Sequence, residues 1–451
     1  MSLYVSSDEI RDHFSKAMSV MYQEEVPQYA ALLSLVEQVN QETLDKNPAL
    51  AKRLTDSGEL DRISVERHGA IRVGTAAEIG VLRRLFAVMG MSPVGYYDLS
   101  VAGVPVHSTA FRPIDVQALA RNPFRIFTSL LRLELIENEA LREKAAAILG
   151  ARQIFSEALI ELIALYESQG GLNEQQAERF ITEAINVFRW HQEATVDYAT
   201  YQSLHAEHRL VADVVCFKGP HINHLTPRTL NIDWVQERMP QAGLNPKDLI
   251  EGPPYRVHPI LLRQTSFKAL DEAITFAQSE AGSHSARFGE IEQRGVALTA
   301  KGRQLYDQLL VEARAVTNTS DNKAYQATLA DVFKAFPDDE LELHRQRLAF
   351  FEYQLTSLAK SAANVDSTDI DQLIENGWVT AQAQTYEDFL PVSAAGIFQS
   401  NLGDNQRDAY QANANQSLLE EALGVKILDE MSLYAQRESD SLKAVFDILN
   451  R

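Results

Sequence analysis

The chain has 451 residues, 45% of them hydrophobic, and a formal net charge of −20, so it is long enough for several domains and apolar enough to bury a sizeable core. The acidic balance opposes attraction to phosphate backbones and anionic membranes, which argues against nucleic acid as a partner. Cys216 is the only cysteine; no intramolecular disulfide or cysteine metal cage can form, and a reducing, cytoplasmic location is expected.

The N-terminus lacks the basic start and apolar run of a signal peptide. The most apolar runs, 30–36 and 158–166, are far shorter than the roughly twenty residues that span a bilayer, so no membrane association is expected. Ser6-Ser7-Asp8-Glu9 reads as a capping box before a helix with Ile10, Phe14, Ala17 and Met21 on one face, and a second helix is predicted over 27–39.

From Asp61 the texture changes. Ile63, Val65, Ile71 and Val73 predict extended structure, and Glu66-Arg67-His68-Gly69 puts charge at its middle, where a purely structural strand rarely carries it. A helix over 75–89 follows, then strands at 96–100, 104–110 and 124–135, a βαβββ order. Residues 137–208 read as helical, with a cap at Asn173-Glu174-Gln175-Gln176. Strand character returns at 210–217, followed by a helix at 232–238 and strands at 260–267 and 287–298. The expected fold class is α+β: two βαβββ-like modules embedded in helical layers. Its parts are an N-terminal helical layer (1–60), a first module (61–136), a helical insertion (137–209), a second module (210–300) and a mixed C-terminal region (301–451) that contributes to the pocket. In that last region a helix is predicted over 301–317, a strand over 378–383, a polar loop over 401–416 and a helix over 429–449.

The modules share a grammar: His68-Gly69-Ala70-Ile71-Arg72 and His224-Leu225-Thr226-Pro227-Arg228 each set an imidazole four residues before a guanidinium. Among eleven histidines, these two stand out by occupying equivalent places. In Arg287-Phe288-Gly289-Glu290-Ile291-Glu292-Gln293-Arg294 an extended strand would turn Glu290, Glu292 and Arg294 to one face, and two buried carboxylates there call for a cation. The plainer reading is a solvated edge on which these acids pair with Arg287 and Arg294. Two imidazoles and one carboxylate match the facial triad of non-haem Fe(II), and zinc is equally allowed by ligand type. Arg72 and Arg228 suit anionic groups, although an ion pair is at least as good a role for Arg228. His205 and His208 read as a solvated helix face, and His107 either lines the cleft or caps a strand. No phosphate-cradling glycine motif and no nucleophile elbow is present.

At these residues the chain resembles the 2-oxoadipate dioxygenase/decarboxylase (hydroxyglutarate synthase) family of the vicinal oxygen chelate superfamily. The resemblance is densest in 65–75, 221–228, 287–295 and 388–398. It implies Fe(II) held by His68, His224 and Glu292, Arg72 as a substrate-binding arginine, and Val392 and Ser393 lining the substrate pocket. It also implies oxidative decarboxylation of 2-oxoadipate to 2-hydroxyglutarate in lysine catabolism, with a small 2-oxo acid and O2 as partners and no protein partner. A lyase or isomerase of the same superfamily using another divalent ion, and a non-catalytic acid-binding protein, are the alternatives.

Overall fold

The computed structural model describes residues 4–316, 322–361, 369–390 and 406–449. Two long helices open it, α1 (Ser7–Glu25) and α2 (Pro27–Lys46), followed by the shorter α3 (Pro48–Asp56) and α4 (Leu60–Val65). The predicted capping box forms: Ser6 accepts from the Glu9 amide while the Glu9 carboxylate takes the Ser6 amide. Residues 61–65, expected to be extended, instead belong to α4, a short helix closed by the buried Arg62–Glu66 pair four residues apart.

Then come β1 (Arg67–Val73), α5 (Ala76–Val88), β2 (Ser92–Asp98), β3 (Val106–Arg112), α6 (Val116–Arg121) and β4 (Arg125–Leu131). Apart from the small α6, this is the expected βαβββ order. The strands lie in the order β2-β3-β4-β1, with β1 parallel to β4 and the remaining pairs antiparallel. One face of the sheet carries Ile71, Val73, Phe111 and Ile126 into the main core beside Phe14, Leu82, Phe86 and Phe188. By the two-residue period of a strand, the other face carries His68, Ala70, Arg72, Ser108, Ala110, Phe127 and Ser129. His107 belongs to the core-side set, edge-on to Tyr96 at 6.1 Å, and so lies on the opposite face from His68.

A helical layer follows: α7 (Glu139–Ala151), α8 (Glu157–Gln169), α9 (Glu174–Asn186), α10 (Tyr198–Glu207) and α11 (Arg209–Val215). The last of these corrects the sequence expectation of a strand over 210–217. Residues 211–215 are all buried, and a short run buried on every side has no periodicity to distinguish strand from helix. His208 decides it by capping the first turn, its Nδ1 accepting from the Leu210 amide at 3.1 Å.

The second half comprises β5 (His224–Pro227), α12 (Ile232–Arg238), β6 (Leu262–Ser266), β7 (Asp271–Thr275), β8 (Ala281–Ser285) and β9 (Glu290–Arg294). β9 is antiparallel to β6 and bridges in parallel to the end of β5 through Arg228 and Glu292. The order β5-β9-β6 thus repeats β1-β4-β3, while β7 and β8 form a separate hairpin instead of a counterpart to β2.

β1 and β5 join the halves. Gly69 pairs with Leu225, and on either side His68 pairs with Thr226 and Ala70 with His224. This register is that of a local two-fold axis through the Gly69–Leu225 pair, and it puts both histidines on one face. At Gly69 a Cβ would meet Ile222 Cδ1 at 2.5 Å and the His224 carbonyl at 3.3 Å, so any larger residue must displace that isoleucine. A second core forms around helix Ala300–Val316, the paired strands β10 (Phe351–Leu355) and β11 (Val379–Ala383), and helix Glu430–Leu449. Within the predicted polar loop, residues from 406 onward belong to helix Gln406–Leu423; glutamine and alanine are good helix formers, so polarity alone did not mark a loop.

Candidate metal centre

β1 and β5 bring the two imidazoles together edge to face, with ring centroids 5.4 Å apart. The carboxylate that converges on them comes from the first residue of β9: Glu290 Oε2 lies 2.9 Å from His68 Nε2 and 3.4 Å from His224 Nε2. Thr226 Oγ1 and Gln264 Nε2 donate to the same oxygen at 3.0 and 3.3 Å.

Glu292, the ligand that the resemblance implies, meets the other nitrogen of His68. Its Oε2 lies 2.8 Å from Nδ1 of His68, on the far side of the ring, and Arg294 clamps it through Nε at 2.8 Å and Nη2 at 2.9 Å. The strand parity was read correctly, since Glu290, Glu292 and Arg294 share a face. One step of about 7 Å along a strand separates the two acids, between which spacing and parity do not choose and the resemblance chooses Glu292.

The electrostatics follow from this packing. Burial raises the cost of charge on Glu290, but His224 and His68 outweigh it and hold the acid down to about 2. Burial likewise opposes Glu292, which Arg294 and His68 hold at about 2. At His68 burial opposes protonation, yet Glu292 and Glu290 on its two nitrogens keep the ring above its usual value. His224 goes the other way: burial, aided by His68, Arg72 and Lys247 and opposed by Glu290, draws it down to about 4. His68 is 1% exposed, His224 12% and Glu290 16%, so the cluster opens to solvent on the side of His224 and Glu290.

These atoms fit a cation. His68, His224 and Glu290 each offer one ligand atom, all within 4.8 Å of one another. Donors at about 2.1 Å from a shared ion would stand about 3.0 Å apart on an octahedral face and about 3.4 Å apart in a tetrahedron. The observed 2.9 and 3.4 Å suit a divalent ion without selecting between iron and zinc.

Around this cluster, Phe389 stands perpendicular to His68 at 4.9 Å and Phe288 packs on His224 at 4.8 Å. Arg112 holds the Asp388 carboxylate in a bidentate pair at 2.7 and 3.0 Å, and Arg294 Nη1 donates to the carbonyls of Tyr386 and Asp388. The chain is therefore tied down just before Val392 and Ser393, which lie outside the described residues. Arg72 projects from the same face as His68, with Nη1 2.8 Å from Asp213 Oδ2. Arg228 is buried instead, paired with Glu66 at 3.0 Å and Glu59 at 2.9 Å. His205 and His208 do not join the centre: they belong to the end of α10 and the cap of α11. Sequence reasoning missed Asp213, hidden in a run read as a strand, and Lys247, whose ammonium lies 5.5 Å from the Phe288 ring.

The sequence model of the 2-oxoadipate dioxygenase/decarboxylase family matches residues 14–401. The chain is 60% identical over 443 residues to the protein of that name from Escherichia coli K12, covering 98% of each. It is 38% identical over 445 residues to the one from Mycobacterium bovis, covering 95% of this chain and 96% of the relative. The crystal structure of hydroxyglutarate synthase from Pseudomonas putida in complex with 2-oxoadipate superposes with a TM-score of 0.92 at 55% identity, covering the whole of both chains. A chain that shares this fold, this length and this degree of identity with those proteins belongs to the 2-oxoadipate dioxygenase/decarboxylase family.

Proposed function

We propose that this chain is an Fe(II)-dependent dioxygenase that converts 2-oxoadipate and O2 into 2-hydroxyglutarate and CO2. The observation that carries the reading is the Glu290 carboxylate set between two imidazoles related by a local two-fold, with Arg72 on the same face. The ion would be held by His68 Nε2, His224 Nε2 and Glu290. Glu292 then has a different part from the one expected of it: it fixes the His68 ring from behind, as carboxylates outside the ligand set do for metal-bound histidines.

Bound Fe(II) supplies the chelation of a 2-oxo carboxylate and the electron transfer that lets O2 react with it. Of the two oxygen atoms, one enters the new carboxylate and the other the hydroxyl, so no second oxo acid is consumed. The chain's own groups decide which acid reacts and how it lies. Arg72 pairs with the distal carboxylate and sets which carbon faces the reaction. His224, drawn down to about 4, stays neutral at physiological pH and keeps a lone pair to donate. Phe389 and Phe127, with ring centroids 5.4 Å apart, keep water from the His68 side.

Oxygen uptake with one CO2 released per 2-oxoadipate is expected from the iron-loaded protein, and its loss in His224→Ala. Undiminished turnover in that variant, or turnover without O2, would sink the assignment.

A further inference from the structure

Arg72 and Arg228 occupy equivalent positions about the two-fold, yet only one has a free edge. Both terminal nitrogens of Arg228 are taken by Glu66 and Glu59. Arg72 is 26% exposed and, among the described residues, is held by Nη1 alone, on Asp213 Oδ2. Its Nε and Nη2 have no partner among the described residues, and these two donors form the fork that binds a carboxylate through two parallel hydrogen bonds.

The acid behind Arg72 is fixed from several directions. Asp213 is 7% exposed, in the middle of α11. Its second oxygen, Oδ1, lies 2.9 Å from His284 Nε2 and 3.1 Å from His221 Nε2. Tyr201 OH lies 2.9 Å from His284 Nδ1; with Nε2–H donating to Asp213, Nδ1 accepts and the tyrosine donates. Trp190 packs against both rings, at 4.7 Å from His221 and 6.3 Å from His284. Burial works against the Asp213 charge, but His221, His284 and Arg72 overcome it and keep the acid well below its usual range. The carboxylate therefore has one orientation, and it hands that orientation to the guanidinium.

We propose that Asp213, braced by His284 and Tyr201, is the positioning residue that aims the free edge of Arg72 and thereby sets the preference for a 2-oxo acid with a second, distal carboxylate. The proposal rests on the reading of Arg72 as the anchor for that carboxylate. Asp213 itself touches neither the reacting atoms nor the proposed metal ligands. Substituting asparagine preserves shape but removes the charge and turns an N–H2 or a weaker acceptor toward Arg72, so the guanidinium is no longer held in one place.

The test compares 2-oxoadipate with 2-oxohexanoate, which has the same 2-oxo acid head and no distal carboxylate. Binding is measured by calorimetry on the iron-loaded protein without O2, and KM and kcat with O2. In Asp213→Asn the dissociation constant and KM for 2-oxoadipate should rise about tenfold or more, the scale of one charge-assisted bond. Those for 2-oxohexanoate should stay within about twofold, and kcat on 2-oxoadipate should fall less than KM rises. His284→Gln, which leaves the Arg72 pair in place and loosens its brace, should shift the preference in the same direction by a smaller factor. It supplies the answer if Asp213→Asn does not fold. An unchanged preference between the two acids, or an equal loss of both, overturns the proposal. A wild-type protein that does not prefer 2-oxoadipate overturns the reading of Arg72 beneath it, which is a separate and recognisable result.

Discussion

Two glutamates two residues apart on β9 meet opposite nitrogens of the same imidazole, and this divides their work. Glu290 shares one oxygen with two imidazole Nε2 atoms, whereas Glu292 is bound up with Arg294 and the outer nitrogen of His68. Glu290→Gln should abolish stoichiometric metal binding and reduce turnover by at least about a thousandfold. Glu292→Gln should retain the ion with affinity lowered about ten- to a hundredfold, the effect usual for a partner of a ligand. Metal analysis after dialysis against a weak chelator separates the cases, and a reversed ranking would return the ligand role to Glu292. The site was legible in the sequence as far as its histidines and the pair of acids, because the repeated His-x-x-x-Arg spacing and the strand parity are both local. The resemblance names Glu292 as the ligand, whereas which acid reaches both imidazole Nε2 atoms depends on how far β9 slides along β5, which no local pattern encodes; the chelator experiment decides between them.

At the scale of elements, periodicity marked the long helices with one wet face and missed the partly exposed hairpin of β7 and β8. The caps at Ser6 and Asn173 and the amphipathic helices behind them stand as expected. It failed for α11, which is buried all round, and for α4, where a buried ion pair outweighs a β-like composition. Helix Glu430–Leu449 carries a titration that composition would not reveal. Burial, reinforced by Asp388, pushes Glu430 up to about 7. The folded chain therefore keeps a proton that the unfolded chain releases near pH 4.3. A raised acid gives no penalty below that value and an increasing one as pH climbs through about 7. Glu430→Gln should accordingly raise Tm at pH 8 and leave it nearly unchanged at pH 4, as followed by circular dichroism; equal shifts at both pH values would contradict it.

Across the whole molecule, distant parts of the chain meet in a buried ionic cluster beside the candidate metal centre. Glu66 takes Arg62 from α4, Arg125 from β4, Arg228 from beyond β5 and Arg294 from β9, while Glu387 pairs with Arg62 and Arg125. Burial alone would push the Glu66 acid up, and the four guanidiniums hold it far down instead. Glu66→Ala would leave several buried cations without their shared anion and should cost about 3–5 kcal/mol of stability in denaturant titration. No helix among the described residues is long and apolar enough to cross a membrane. The local two-fold has a last consequence. Arg228 bridges to Glu292 across β5 and β9 just as Arg72 faces Ser129 across β1 and β4, so the symmetry mate of Glu290 is Phe127. One half thus contributes an acid where its twin contributes an aromatic ring, and a cage that symmetry would have closed with four donors is left open on the side of Arg72. Phe127→Glu should complete that cage: the ion should bind more tightly while turnover collapses, making a metal-storing shell out of a catalyst by one substitution.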